Sequence, residues 1–116
     1  MPEEFRIVTV TLGRVTLLRV AGRLDARTTP QLQARCAEVR KPGVQVVLNL
    51  AELSFVSSSG VGALLAIAEE ARLVGGGLRI SPPSAPVRSA IELLNLDQFL
   101  TIDETEQQAL DALEAA

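Results

Sequence analysis

The stretch VVLNLAELSFVSSSGVGALL, Val46 to Leu65, changes its periodicity halfway along. Val44 to Leu50 is almost continuously apolar, as a strand covered on both faces would be. Ser57-Ser58-Ser59-Gly60 breaks that run. Val61, Leu64, Leu65, Ala68 and Ala71 then recur at helical spacing as far as about Val74, while Glu69, Glu70 and Arg72 are left for water. The pattern predicts a central strand feeding a helix that starts within two residues of Ser58, with Leu65 and Ile67 in the core and Glu69 and Glu70 exposed. Gly75-Gly76-Gly77 stops the helix and Leu78-Arg79-Ile80 forms a short strand. Strand, helix and strand in succession make a βαβ unit, hence a parallel pair with a right-handed crossover.

Outward from this unit, Phe5 to Leu12 and Val15 to Ala21 are rich in β-branched residues and flank Gly13-Arg14, which predicts an N-terminal hairpin. Gly22-Arg23-Leu24-Asp25 reads as a loop. Thr29-Pro30 marks a helix start, with Thr29 as N-cap and Pro30 at the first helical position. Leu32, Cys36 and Val39 are that helix's apolar stripe, and Pro42-Gly43 ends it. A third helix follows Pro82-Pro83, with Ser84 as N-cap and Val87, Ala90, Ile91 and Leu94 as its buried face. Phe99 to Ile102 reads as a last short strand. Thr105 and Gln108 have capping-box spacing ahead of a C-terminal helix carrying Leu110 and Leu113, expected to cover one end of the sheet. The expected architecture is a single α/β domain spanning 1–116, a mixed sheet of about five strands with about four helices.

Composition narrows the function. The 116 residues are 47% hydrophobic, with a mean hydropathy of +0.27. Trp and Tyr are absent and only Phe5, Phe55 and Phe99 are aromatic, so the core is aliphatic. The net charge of −3 provides neither the basic stripe nor the stacking aromatics of a nucleic-acid binder. No apolar run approaches the roughly 18 residues of a membrane span, and the acidic start MPEEF is unlike a signal peptide, so the expected location is the cytoplasm. A lone Cys36 supports neither a disulfide framework nor a cysteine metal site, and its place on an apolar stripe suits a small buried hydrophobe. Without histidine, ordinary zinc sites and Ser-His catalysis are excluded. Lys41 is the sole lysine, and SSSG does not match the G-x-S-x-G nucleophile elbow. No Walker loop or G-x-G-x-x-G is present, and Gly75-Gly76-Gly77 precedes a strand instead of a helix, so no cofactor, metal or enzymatic activity is expected.

The serine loop itself admits two readings. Serine is a preferred N-cap, and glycines in a first turn are common packing devices. Alternatively, a helix N-terminus offers unpaired N–H groups and the positive end of the dipole, which favour an anion such as a serine phosphate. Asp25 is equally open: a turn-forming residue before the first helix, or a surface charge for a partner.

VVLNLAELSFVSSSGVG followed by a helix and GGGLRI resembles the STAS domain, the fold of bacterial anti-sigma factor antagonists and of sulphate-transporter tails. Gly22-Arg23-Leu24-Asp25 resembles that family's G-x-L-D loop, and SPPSAPVRSAIELLNLDQFL, Ser81 to Leu100, resembles its third helix and the approach to the final strand. The likeness runs in order from about Phe5 to Ala112 and is strongest to short single-domain antagonists of sporulation and general-stress sigma factors.

The resemblance implies partner switching. The unphosphorylated antagonist binds an anti-sigma factor that is also a serine kinase of the histidine-kinase-like ATPase type, and so frees a sigma factor for transcription. The kinase phosphorylates one serine at the start of the second helix, and a serine phosphatase reverses this. The family pattern there is Asp-Ser-Ser-Gly, so Ser58 falls on the modified serine, with Ser57 and Ser59 as alternatives. Ser57 replaces the usual Asp, keeping the capping oxygen and losing the charge. Leu24, Asp25, Ser57, Ser59, Gly60 and Gly62 are the implied partner-binding positions. The alternative implied function is an adaptor or scaffold STAS protein, in a stress-sensing complex or with a lipid-transport ATPase.

Overall fold

The computed structural model describes residues 4–115; residues 1–3, which hold most of the acidic N-terminal segment, and Ala116 lie outside the described residues. The elements run β1 (Arg6–Leu12), β2 (Val15–Leu24), α1 (Thr29–Val39), β3 (Gln45–Val56), α2 (Ser58–Leu73), β4 (Gly77–Pro83), α3 (Ala85–Leu93), a 3-10 turn (Leu96–Gln98), β5 (Thr101–Ile102) and α4 (Glu106–Ala115). The five strands lie in the order β1-β2-β3-β4-β5. β1 and β2 pair antiparallel, as a hairpin must, and every later pair is parallel. β3 is therefore central, and α1, α2 and α3 are the crossovers between the parallel strands.

Strand alternation places the core on both faces. Leu18, Val46, Leu48, Leu50, Leu78 and Ile80 point to one face, where Leu32 and Cys36 of α1, Leu64 and Ile67 of α2, and Val87 and Ile91 of α3 pack on them. Leu17 and Val47 point to the other, where Ala109 of α4 is fully buried and Leu113 packs alongside. α4 thus lies across a face of the sheet, not its end. Burial drives the Cys36 thiol up to about 12, leaving it an un-ionised small hydrophobe.

Several expected boundaries move. Gly22 to Leu24 belong to β2, which continues past Ala21 through a register shift against β3. Gly22 takes φ +104° there, and a Cβ on it would lie 3.0 Å from the Glu4 carbonyl oxygen. The N-cap of α1 is Thr28, not Thr29, and its hydroxyl is used to close the preceding loop. Ser84 does occupy the N-cap position of α3, yet its buried Oγ makes no capping hydrogen bond.

Leu94 is 55% exposed because α3 ends at Leu93 and Asn95, at φ 54°, turns the chain away. Phe99, expected to open the last strand, is exposed at the end of the 3-10 turn, and β5 shrinks to Thr101–Ile102. Ile67 is buried, while Leu65 is half-buried against the core. Glu69 is exposed, but Glu70 is half-buried through an ion pair with Arg40. At α4 the Thr105 hydroxyl accepts the Gln108 N–H, as a capping box requires, whereas the Gln108 side chain returns to the N–H of Glu104.

Candidate functional site

β3 outruns β4, so its C-terminal end is paired with β2 alone where it leads into the serine loop. Ser57 is the N-cap of α2: in extended backbone (φ −88°, ψ 173°), its Oγ accepts the Gly60 N–H at 3.1 Å. Its own N–H donates to the Leu24 carbonyl at 2.9 Å, which ties the loop to the end of β2. Its carbonyl accepts the Val61 N–H at 2.9 Å. Ser57 is thus half-buried and committed at three atoms, whereas Ser58 and Ser59, the first two residues of α2, are exposed. No acidic residue stands in that first turn.

Gly60 and Leu24 do different work from that expected of partner contacts. Leu24 is fully buried, so its side chain meets no partner; its carbonyl positions the loop. A Cβ on Gly60 would stand 2.8 Å from the Leu24 carbonyl oxygen and 2.9 Å from a methyl of Val56, so glycine there lets α2 seat against β2. Gly62 is the outward one, with open space where a Cβ would be.

Asp25 forms an Asx turn. Its carboxylate accepts the N–H of Arg27 at 2.9 Å and of Thr28 at 3.2 Å, and its carbonyl accepts the Thr29 N–H. The hydroxyl of Thr28 accepts the Asp25 N–H and donates to the Arg23 carbonyl at 2.7 Å, closing the loop from both sides. The Arg27 N–H foremost, then the Thr28 donors and the nearby Arg23 charge, hold the Asp25 carboxyl below the usual carboxylate range.

One pair at this corner joins two motifs of the sequence, yet neither residue takes a role from the sequence alone. Arg23 and Phe55 are register partners across β2 and β3, and the guanidinium sits 4.1 Å from the ring centroid. Only strand alternation hinted at it, since the partners are 32 positions apart and the register is a tertiary property. Among the described residues no group of His, Cys, Asp and Glu is placed to hold a metal ion. No helix among them is long and apolar enough to cross a membrane. The site presents the exposed Ser58 and Ser59 at a helix N-terminus, next to the Asp25 loop that follows Leu24.

The STAS domain model matches residues 6–109. The chain belongs to the STAS domain family. The Anti-sigma F factor antagonist of Lysinibacillus sphaericus is 32% identical over 110 residues, covering 93% of this chain and 92% of that protein. Among solved structures, the anti-sigma factor antagonist SpoIIAA in its unphosphorylated form superposes with a TM-score of 0.79 at 26% identity, over 96% of this chain and 98% of that one. The Bacillus cell fate determinant SpoIIAA in the phosphorylated form gives 0.70 at 28% identity, over 95% and 99%. The five-stranded mixed sheet with four helices is thus a STAS fold, and its serine loop lies at the head of the second helix.

Proposed function

We propose that this STAS protein is an anti-sigma factor antagonist. It binds an anti-sigma factor that is also a serine kinase of the histidine-kinase-like ATPase type, releases a sigma factor, and acts in the cytoplasm as a binding protein with no catalytic role of its own. Phosphorylation of Ser58 switches it off, and a serine phosphatase restores it. Asp25, Ser59 and Gly62 border the contact surface, with Leu24, Ser57 and Gly60 holding the loop in place.

The observation that carries this is the inequality of the three serines. Ser57 is spent on the cap, while Ser58 is exposed on a helix end already fixed by that cap and by β2. A phosphate there adds about −1.5 to −2 charges beside unpaired N–H groups and the positive end of the α2 dipole, so the free protein tolerates it. The same charge pressed into an interface must be desolvated, and a buried unpaired charge costs about 2–5 kcal/mol. Phosphorylation then changes partner choice and leaves the fold nearly unaltered.

Incubation with the cognate kinase and ATP, followed by peptide mass spectrometry across Leu53 to Ala63, tests this. Phosphate at Ser58 is expected, with Ser58→Ala resistant to inactivation and Ser58→Asp folded but unable to bind. The absence of an acidic residue in the first turn of α2 favours one second reading, a constitutive adaptor in a stress-sensing complex or with a lipid-transport ATPase. Phosphate on none of Ser57, Ser58 and Ser59 would overturn the switch and favour that reading.

A further inference from the structure

The corner next to the serine loop carries the opposite sign from the chain as a whole. The protein has a net charge of −3, yet Arg23 and Arg27 stand exposed here. Among the described residues neither guanidinium has an ion-pair partner, and Arg23 rests on the ring of Phe55. Of the other exposed arginines, Arg6, Arg19 and Arg72 are neutralised within the fold by Glu52, Glu106 and Glu69, and Arg14 stands at the opposite end of β2, in the turn after β1. Asp25, the one carboxylate between the two arginines in sequence, is held ionised by the backbone N–H groups of its own loop and offsets one of these charges. Two guanidinium charges against one carboxylate leave this segment net positive.

We infer that Arg23, Phe55 and Arg27 form a cationic platform that docks an acidic face of the anti-sigma factor, continuous with the serine loop. The inference rests on the antagonist function proposed above and specifies the chemistry of its partner. Continuity is built into the chain. Arg23 immediately precedes Leu24, whose carbonyl holds Ser57; Phe55 lies two residues before Ser57; and the Arg27 N–H closes the Asx turn that follows Leu24.

The stack on Phe55 matters energetically as well as geometrically. A free arginine loses rotamer freedom when it is captured at an interface, whereas one already laid on a ring is pre-ordered and loses less. The planar guanidinium edge left open matches carboxylates in bidentate fashion. An acidic facing surface also gives the switch its sign, because a Ser58 phosphate then meets charge like its own.

The test is binding of the purified anti-sigma factors of the histidine-kinase-like type from the chain's own genome, measured by calorimetry at about 50 and 500 mM salt, where screening goes from weak to nearly complete. Wild type, Arg23→Glu, Arg27→Glu and the neutral Arg23→Gln are compared, with thermal melts to confirm folding. Both charge reversals are expected to weaken binding at least about tenfold at low salt, to converge toward wild type at high salt, and to flatten the salt dependence; Arg23→Gln is expected to fall between. Wild-type affinity and salt slope in both reversal variants would overturn the platform while leaving the antagonist function standing, and tighter binding by them would show a basic partner and overturn it too. If wild type binds none of these factors, the antagonist function falls and the platform with it.

Discussion

The carbonyl oxygen of Leu24 accepts the N–H of Ser57 at 2.9 Å, so the end of β2 is fastened to the cap of α2. Leu24 and Ser57 are far apart in sequence but adjacent at the outward end of parallel strands. The hydrogen bond fixes where the serine loop sits, and Gly60 is the residue that lets the helix come this close.

Gly60→Ala therefore tests the seating of α2. Its Cβ would stand 2.8 Å from the Leu24 carbonyl oxygen, backbone that cannot swing aside. Overpacking of this kind costs about 1–3 kcal/mol, partly offset by alanine's better helix propensity. A lowered denaturant midpoint with unchanged slope is expected. Gly62→Ala, facing open space, is expected to be neutral or slightly stabilising in the same measurement.

Ser57→Ala removes the Oγ that accepts the Gly60 N–H and is expected to cost about 0.5–2 kcal/mol. Ser57→Asp keeps an acceptor and adds negative charge at a helix N-terminus, worth about 0.3–1 kcal/mol. The expected order of melting temperatures is Asp, Ser, Ala. An alanine variant as stable as wild type would show that the cap does not hold the loop.

Within α2 the two faces separate cleanly. Leu64 is 1% exposed in the core cluster, and truncation to alanine is expected to cost about 2–5 kcal/mol. Leu65, only half-buried, is expected to cost less. Paired urea titrations give the comparison, and equal losses would contradict the placement of the helix face.

Acid sensitivity is expected to centre on Asp103. Its carboxylate accepts Arg79 Nε at 2.9 Å and the Ser81 hydroxyl at 2.7 Å, joining β4 to the segment after β5. Arg79 foremost, with Ser81, holds this carboxyl below the usual carboxylate range. A depressed folded value means stability fully present above the unfolded value of about 4 and lost as pH falls through the folded one. Melting temperatures of wild type and Asp103→Asn are expected to differ most at neutral pH and to converge below about pH 4. A gap that persists into strong acid would assign the loss to packing instead of charge.

Much of this fold was legible in residue order because burial dictates local pattern. The unbroken apolar run of Val44 to Leu50 needs cover on both faces, and the structure supplies three helices on one and α4 on the other. SSSG could only be a helix start, and α2 begins at Ser58. What misled were local signals with tertiary rivals. Thr29 had the credentials of an N-cap, but Thr28 was needed to close the Asp25 loop. Glu70 looked solvated until α1 delivered Arg40 to it, and Leu94 kept helical spacing one residue after the helix had ended.

The division at the site follows the same physics. Sequence by itself determined the serine cluster, its place at a helix start and the lack of histidine, since these depend on residue identity and neighbouring periodicity. It did not determine which serine is committed and which is free, because that turns on the Leu24 carbonyl reaching Ser57 from another strand. Nor did it reveal that Leu24 is buried or that Arg23 lies on Phe55, and it offered the loop-closing role of Asp25 only as one of two readings. Those facts follow from the register of β2 against β3. Register is set by the whole packed sheet, where burying one face of each strand selects a single alignment, and no local stretch of the chain encodes it.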